Sequence, residues 1–305
     1  MNGQCGSTME NFHDQQGWIW YDGKLRKWNE VRLHVLSHGL HYASCVFEGE
    51  RVYAGTVFKL REHSQRLLDS ARMLGFEIPY TVEEIDRATI ETVKAMKCAD
   101  GYVRPVAWRG SEQMGVSAQK TKVHLAIAVW DWPSYFSPEA RERGIKLTMS
   151  KWKRPSPETE PVKAKASGLY MICTLSKEAA EKAGFDDALM LDWRGQVAEC
   201  TGANVLLVMN GEIHTPTPDC FLDGITRRAV IGLAKDRGIK VIERAVWPDD
   251  LKKAEEVFVT GTAAEVTPIG QIDDLHFQVG PITRKLRDDF EKLVRQPAKE
   301  TAKVG

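Results

Sequence analysis

The stretch that decides the fold begins at residue 165, as Lys165-Ala166-Ser167-Gly168-Leu169-Tyr170, and resumes at residue 196, as Gln196-Val197-Ala198-Glu199-Cys200-Thr201-Gly202-Ala203-Asn204. Lys165 offers an amine that can form a Schiff base, Tyr170 a phenol, and Glu199 a carboxylate that could keep a pyridine nitrogen protonated. These groups allow a pyridine cofactor to act as an electron sink. The stretch therefore predicts a type of reaction as well as a fold.

The composition is that of an ordinary globular protein without charge bias. The chain has 305 residues, enough for two domains with separate cores, and 43% of them are apolar. Its 42 basic residues balance 42 acidic ones, so no overall field favours nucleic acid or an anionic membrane as a partner. No apolar run approaches the roughly 20 residues of a membrane span, and residues 1–16 are polar without a signal-peptide core. We expect a cytoplasmic protein that binds small molecules, with residues 1–16 as a flexible extension.

The cysteines and histidines give little support for a metal site. Six cysteines are scattered without a CxxC pair, a distribution that favours reduced thiols over disulfides or a zinc site. His34, His38 and His41 have a spacing that would place three imidazoles on one helical face, so a metal site has to be considered. No carboxylate at ligand spacing accompanies them, and we predict no metal.

The first half of the chain has the pattern of an α+β domain. The dipeptide Asp22-Gly23 predicts a hairpin. Apolar residues at helical spacing predict a helix that ends at Gly75, and Thr81 with Glu84 predicts a capping box at the start of the next helix. These helices would cover a mostly antiparallel sheet. Its later strands are predicted over residues 101–108 and 123–130.

The second half has the pattern of a larger, barrel-like sheet. Helices are predicted over about residues 169–183 and 226–237, and Asn210-Gly211 predicts a hairpin between short strands. Short strands joined by tight turns favour a barrel-like mixed sheet, whereas the lack of a GxGxxG motif after any strand disfavours a Rossmann topology. The predicted domains are an extension (1–16), a small α+β domain (17–132), an interdomain loop rich in proline and aromatic residues (133–141) and a large barrel-like domain (142–305).

Six stretches in order carry a family resemblance: His38-Gly39-Leu40-His41-Tyr42 with Val46-Phe47-Glu48-Gly49, Glu62-His63-Ser64-Gln65-Arg66-Leu67, Tyr102-Val103-Arg104-Pro105, Lys165 to Tyr170, Asp223-Gly224-Ile225-Thr226-Arg227, and Gly261-Thr262-Ala263-Ala264-Glu265-Val266-Thr267-Pro268. Over nearly the whole chain, from Trp18 to about Asp273, it resembles the branched-chain amino acid aminotransferases of the fold-type IV pyridoxal-phosphate family. The resemblance implies a small N-terminal α+β domain and a larger C-terminal barrel-like α/β domain. Pyridoxal 5'-phosphate would lie between them.

The resemblance assigns the cofactor chemistry to a small set of residues. Lys165 would be the catalytic residue, which anchors the cofactor and later carries a proton between the substrate and the cofactor. Lys163 is a rival, but Lys165 precedes the family's small-small-x-Tyr pattern. Glu199 would pair with the pyridine nitrogen, and Tyr170 would donate to the ring oxygen. Around the phosphate, where free N–H groups at a helix start bind well, the resemblance places Arg66, Ile225, Thr226 and Thr262.

The resemblance also implies how the substrate is held. On an alternating strand Tyr102 and Arg104 project to the same side, and Arg104 could grip the second carboxylate of glutamate or 2-oxoglutarate. Aromatic residues would line a pocket for an aliphatic side chain, and the amides of Thr262 and Ala263 would hold the α-carboxylate. A loop at residues 113–116 would reach a partner's site, so a homodimer or a dimer-based higher oligomer is expected. The predicted substrate-binding residues are Tyr42, Phe47, Tyr102, Arg104, Val116, Trp132, Tyr135, Thr262 and Ala263.

The activity implied is transamination between branched-chain L-amino acids and 2-oxoglutarate, so amino acids and 2-oxo acids are the expected partners. Ala203 stands where many relatives have glutamate, and Ser167 where they have glycine, which leaves the substrate range open. Alternatives with the same fold are a transaminase of D-amino acids or R-configured amines, which generally lacks the Tyr-x-Arg-Pro strand, and an aminodeoxychorismate-lyase-like enzyme. A metabolite-binding protein without catalysis would leave Lys165 and Glu199 unexplained.

Overall fold

The computed structural model describes residues 11–132 and 136–296. The small domain holds seven strands and three α-helices in the described residues. In chain order these are β1 (Trp18–Tyr21), β2 (Lys24–Lys27), α1 (His38–Tyr42), β3 (Cys45–Phe47), β4 (Glu50–Tyr53), β5 (Thr56–Val57), α2 (Leu60–Met73), α3 (Val82–Ala95), β6 (Gly101–Arg109) and β7 (Val123–Asp131).

The small domain is a seven-stranded antiparallel sheet covered by two helices, as predicted. The strands lie in the order β2-β1-β7-β6-β4-β5, and β3 also pairs with β6. Asp22 and Gly23 both have positive φ, at 44° and 96°, because the tight hairpin between β1 and β2 requires it. The predicted capping box of Thr81 and Glu84 starts α3. Helices α2 and α3 bury Leu67 and Ile85 against the sheet.

The large domain follows from residue 136. Its elements are α4 (Pro138–Arg143), β8 (Ile145–Met149), α5 (Met171–Lys182), β9 (Asp187–Leu191), β10 (Val197–Cys200), β11 (Asn204–Met209), β12 (Glu212–Pro216), α6 (Ile225–Asp236), β13 (Val241–Arg244), α7 (Pro248–Leu251), β14 (Glu256–Gly261), β15 (Glu265–Ile272), β16 (Leu275–His276) and α8 (Pro281–Val294).

The large sheet closes on itself. Its strands lie in the order β10-β9-β8-β15-β14-β11-β12-β13, and β10 also pairs with β11, so six of them form a ring. The pairs β8–β15, β8–β9 and β12–β13 are parallel and the other pairs are antiparallel. Branched and aliphatic side chains such as Leu147, Val205 and Val259 fill the ring. The predicted barrel-like mixed sheet is therefore present.

Three predicted features differ in detail. Phe12, in the predicted extension, packs its ring 5.2 Å from that of Trp130, while residues 1–10 lie outside the described residues. Of the predicted interdomain loop, residues 133–135 lie outside them too, and residues 138–141 belong to α4. His34 precedes α1, which begins at His38, so the helical face considered for the three histidines is not formed.

One buried seam between the two domains forms around Tyr53. Tyr53 on β4 packs among large-domain side chains, including Val266 and Phe290. Within the two described ranges, no helix combines the length and hydrophobicity that a membrane span requires.

Candidate active site

A cleft opens where the barrel faces the small domain, and residues of both domains line it. The ends of β10, β11 and β14, the start of α6 and the segment before α5 form its wall, and Arg66 on α2 faces it from the small domain. All seven residues predicted to bind the cofactor line this cleft: Arg66, Lys165, Tyr170, Glu199, Ile225, Thr226 and Thr262.

Lys165 is fixed by its main chain and projects its amine into the cleft. Its N–H donates to Ser70 Oγ at 3.0 Å, and its carbonyl accepts from the N–H of Phe47 at 3.1 Å. Its Nζ donates to Tyr170 Oη at 2.7 Å. Burial lowers the pKa of Lys165 to about 8, and Arg66 acts in the same direction, so the amine becomes neutral and nucleophilic more readily than a surface lysine. The rival Lys163 is exposed.

Tyr170 lies at the end of a 3₁₀ turn that leads directly into α5. Its ring packs edge-on against Phe47, with ring centroids 4.9 Å apart. Burial raises the pKa of the Tyr170 phenol well above its usual value, so this hydroxyl stays protonated at neutral pH and can donate a hydrogen bond.

Glu199 points into the cleft from β10, after an irregularity in the pairing with β9. Asn204 Nδ2 lies 3.4 Å from one carboxylate oxygen, and Arg154 Nε lies 3.4 Å from the other. Burial raises the pKa of Glu199 to about 7, against the opposing effect of Arg154 and Lys165. A carboxyl that titrates near neutral pH can share a proton with a basic ring nitrogen.

Two of these partners were not predicted. Arg154 is 3% exposed and also donates to the carbonyl oxygen of Leu169. It lies far from Glu199 in the chain, so no local motif signalled the pair. Asn204 was part of the deciding stretch, but its role appears only in the fold, where its side chain also donates to the carbonyl of Leu222 at 3.0 Å.

The start of α6 forms one side of an anion site. Gly224 precedes the helix and has no side chain to cap it, so N–H groups of the first turn face the cleft, where an anion would be bound. A Cβ on Gly224 would clash with Asn204 Oδ1, so the close approach of these two residues requires glycine. Thr226 and Thr262 add hydroxyl groups to the same wall.

Arg66 supplies the positive charge and is itself held from behind. Its Nε and Nη2 donate to the two oxygens of Glu48 at 2.6 and 2.8 Å. Glu48 is fully buried and also contacts His63 Nδ1 at 2.7 Å. Burial alone would raise the pKa of Glu48, but Arg66 and His63 hold it well below its usual range. The Glu48 of the Phe-Glu-Gly stretch therefore orients the cation.

Four of the predicted substrate residues form a cluster on the small domain. Arg104 Cζ lies 4.8 Å from the Phe47 ring centroid, and its Nη2 lies 3.3 Å from Tyr102 Oη. The Tyr102 ring lies 4.9 Å from that of Trp132. Arg104 Nε has no hydrogen-bond partner within the described part of the chain, so this guanidinium has donors left for a ligand. None of the four lines the cleft itself, and the cluster reaches it through the contact between the rings of Phe47 and Tyr170.

The remaining predicted substrate residues are dispersed. Val116 is 85% exposed and Tyr42 is 43% exposed, and neither lines the cleft. His38 Nε2 contacts the carbonyl of Gly115 at 3.0 Å, which ties α1 to the 113–116 loop. Thr262 lines the cleft, whereas the half-buried Ala263 beside it does not. Tyr135 lies outside the described residues.

The two departures from the family pattern lie at or near the cleft. Ala203 lines its wall between β10 and β11, while Ser167 is half-buried in the 3₁₀ turn before Tyr170. Both positions hold small side chains, so no predicted cofactor residue is displaced.

Comparison with known proteins decides the family. Residues 45–272 match the family model for amino-transferase class IV. The chain belongs to the class IV aminotransferases. This aminotransferase is 41% identical over 288 residues to the branched-chain-amino-acid aminotransferase of Pseudomonas aeruginosa, a match that covers 92% of this chain and 94% of that relative.

Solved structures agree with this assignment. The branched-chain amino acid aminotransferase of Escherichia coli superposes with a TM-score of 0.90 at 35% identity, over 94% of this chain and 98% of that one. The branched-chain amino acid aminotransferase of Thermobaculum terrenum, solved in its PLP-form, superposes with a TM-score of 0.84 at 31% identity, over 92% and 95% of the two chains. The predicted family and the predicted fold class are therefore confirmed.

Proposed function

We propose that this aminotransferase exchanges the amino group of branched-chain L-amino acids with 2-oxoglutarate, giving branched 2-oxo acids and L-glutamate, with pyridoxal 5'-phosphate as cofactor. The observation that carries the proposal is the buried Lys165 amine, held by Tyr170 in a cleft that Glu199 and the start of α6 also line. The branched-chain aminotransferases to which the chain is similar support the substrate class.

The residues of the cleft suit this cofactor chemically. Lys165 would join its aldehyde, Glu199 would face its ring nitrogen, and Tyr170 would donate to its ring oxygen. The uncapped start of α6, with Arg66, Thr226 and Thr262, would hold its phosphate. When bound, the cofactor supplies an electron sink for the substrate Cα.

The protein groups then handle protons and charge. With its pKa near 8, Lys165 can take a proton from the substrate Cα and return it. The Tyr170 phenol, 2.7 Å from the amine, fixes the direction in which Nζ points. Arg154 favours the charged form of Glu199 against the effect of burial, and a carboxylate beside the ring nitrogen would favour the protonated form of that nitrogen.

Substrate recognition would be divided between charge and apolar contact. Arg104 would bind the second carboxylate of glutamate or 2-oxoglutarate, because an arginine can grip a carboxylate with two hydrogen bonds. Phe47, Tyr102 and Trp132 would contact the aliphatic side chain of leucine, isoleucine or valine. The backbone amides of Thr262 and Ala263 would hold the α-carboxylate that all these substrates share.

We also propose a homodimer. Around the 113–116 loop and α1 the chain exposes Leu40, Tyr42, Met114 and Val116, by 65%, 43%, 43% and 85%. Exposed apolar side chains of this size gathered in one region are typical of a subunit interface. In a dimer Tyr42 and Val116 would contact the partner's cleft. Sedimentation of the purified protein tests this, and a monomer at micromolar concentration would contradict it.

The function is tested by a scan of amino donors and acceptors with the purified enzyme and added cofactor. L-Leucine with 2-oxoglutarate should give glutamate, and D-alanine or an R-configured aryl amine should give little. Faster turnover of either of those donors, or elimination without glutamate, would replace the proposal with one of the related activities of the same fold.

A further inference from the structure

Glu265 closes the turn between β14 and β15 in a conformation that side chains seldom adopt. Gly261 and Glu265 are partners in the strand register, so a connection of three residues, 262–264, lies between them. The φ angle of Glu265 is 54°, in the left-handed region that favours glycine, and three-residue hairpins commonly place glycine at such a position. A glutamate here points to a task for its side chain.

The side chain of Glu265 joins three separate parts of the molecule. Its Oε1 accepts a hydrogen bond from Tyr53 Oη at 2.8 Å, and its Oε2 lies 3.2 Å from Arg141 Nη2. Tyr53 is the residue of β4 that is buried among large-domain side chains, and Arg141 belongs to α4, the first helix of the large domain. Glu265 is therefore bound from the small domain and from α4 at once.

The same turn forms part of the cleft. Gly261 and Thr262 line its wall, and the hydroxyl of Thr267 donates to the carbonyl of Ala264 at 2.6 Å, which fixes the turn from the strand side. The backbone of residues 262–264 thus has support on one side from β15 and on the other from the Glu265 contacts.

We propose that Glu265, together with Tyr53 and Arg141, is a positioning residue that sets the 262–264 turn for binding the substrate α-carboxylate. The inference rests on the proposed function, which places that carboxylate on the amides of Thr262 and Ala263. Every amino donor and acceptor has this carboxylate, so a disturbance of the turn weakens the binding of all substrates by the same factor. Discrimination between side chains, which depends on Phe47 and Arg104, stays unchanged.

The test compares holoenzymes that carry Tyr53→Phe, Arg141→Gln, Glu265→Gln or Glu265→Gly. Glycine adopts the φ of residue 265 without strain, so Glu265→Gly removes the side chain while it keeps the turn conformation. Tyr53→Phe removes one oxygen and keeps the packing, so it remains informative if a Glu265 variant folds poorly. Matched controls are Tyr80→Phe, a half-buried tyrosine elsewhere in the small domain, and Arg143→Gln as a partner to Arg141→Gln on the same helix.

Calorimetry measures the dissociation constant of 4-methylvalerate, a branched carboxylate without an amino group. We expect about tenfold weaker binding in Tyr53→Phe, Arg141→Gln and Glu265→Gly, because small displacements of a binding group are costly, and a smaller loss in Glu265→Gln, which keeps an acceptor for Tyr53. KM for leucine, valine and glutamate should rise by a common factor, with the visible absorbance of the bound cofactor unchanged. The control variants should match the wild type.

Two results would overturn the inference. One is a dissociation constant within twofold of the wild-type value in both Tyr53→Phe and Glu265→Gly. The other is a set of KM increases that differ from substrate to substrate. If the wild type itself neither binds the acid nor converts leucine, the proposed function fails and the inference fails with it. If the wild type and the variants all bind the acid normally, only the inference fails.

Discussion

The two sides of the cleft are assembled differently. Lys165, Tyr170, Glu199 and the start of α6 belong to one domain and line one cavity, with buried partners behind them. The predicted substrate residues come from the small domain, an exposed loop and the turn between β14 and β15, and of those in the described chain only Thr262 lines the cavity. The side for general amino-group chemistry is thus complete within one chain, whereas the side that would select the substrate draws on separate segments and, by our proposal, on a second subunit.

The largest expected effect is on the first side. Lys165→Ala removes the only amine among the cleft-lining residues of the described chain, so we expect turnover to fall by about 10³-fold or more, since it removes both the covalent anchor and the proton carrier. Glutamate formation and mass spectrometry after borohydride reduction measure this. Lys163→Ala, at the exposed lysine nearby, should keep the activity and the trapped adduct; loss of the adduct in this control instead would assign the chemistry to Lys163.

The next largest expected effect concerns Glu48, the buried carboxylate that holds Arg66. Glu48→Gln leaves Arg66 without its buried counter-charge, and we expect unfolding in urea to show a loss of about 3–5 kcal/mol. The pKa of Glu48 is depressed, so its contribution is complete above the unfolded value of 4.5 and is lost as the pH falls through the folded value. The difference from the wild type should therefore be constant near pH 7 and shrink below pH 4.5.

A matched control for Glu48→Gln is Glu62→Gln, at an exposed glutamate that pairs with Lys59. We expect it to change the free energy of unfolding by less than about 1 kcal/mol, as exposed ion pairs do. Equal losses in the two variants would show that the buried Glu48–Arg66 pair contributes no more to stability than an exposed ion pair.

The substrate side is tested through Arg104. Arg104→Gln should raise KM for 2-oxoglutarate by roughly 10–100-fold, the value of about 1.5–3 kcal/mol for a hydrogen bond to a charged group. With 4-methyl-2-oxovalerate, which lacks a second carboxylate, KM should change little. Equal increases for both acceptors in steady-state kinetics would refute a role in dicarboxylate recognition.

The last test concerns Glu50, whose contribution to stability has the opposite sign to that of Glu48. It is fully buried, and neither of its carboxylate oxygens has a hydrogen-bond partner among the described residues. Burial, with Glu48 and Asp86 nearby, raises its pKa well above 4.5. Above pH 4.5 the unfolded chain releases this proton while the folded protein keeps it, so Glu50 lowers the free energy of unfolding as the pH rises. Glu50→Gln should be more stable than the wild type at pH 8 and equal to it at pH 4 in urea unfolding.

Local signals explain what the sequence could predict. Asp22-Gly23 and Asn210-Gly211 fixed their hairpins, and Thr81 with Glu84 fixed a helix start, because each depends on neighbours in the chain. Glu199, Ile225, Thr226 and Thr262 reached one cavity because their motifs lie at strand ends and a helix start. Arg66, in the middle of α2, reaches the same cavity from the other domain. The pairs Arg154–Glu199 and Tyr53–Glu265 had no such signal, since they form between segments that only the closed barrel and the domain seam bring together. The parallel pairing of β8 with β15 had none for the same reason.

The backbone around Lys165 has one more consequence. The N–H of Phe47 and the hydroxyl of Ser70 clasp its peptide groups, and Val46 forms an antiparallel bridge with Ala166. The backbone of Lys165 is therefore fixed, and its side-chain nitrogen can move only by rotation about the bonds of its own methylene groups. An excised barrel would retain the lysine but lose this anchorage, so a large domain separated from its smaller neighbour should be a poor catalyst even with every cleft-wall residue of its own in place.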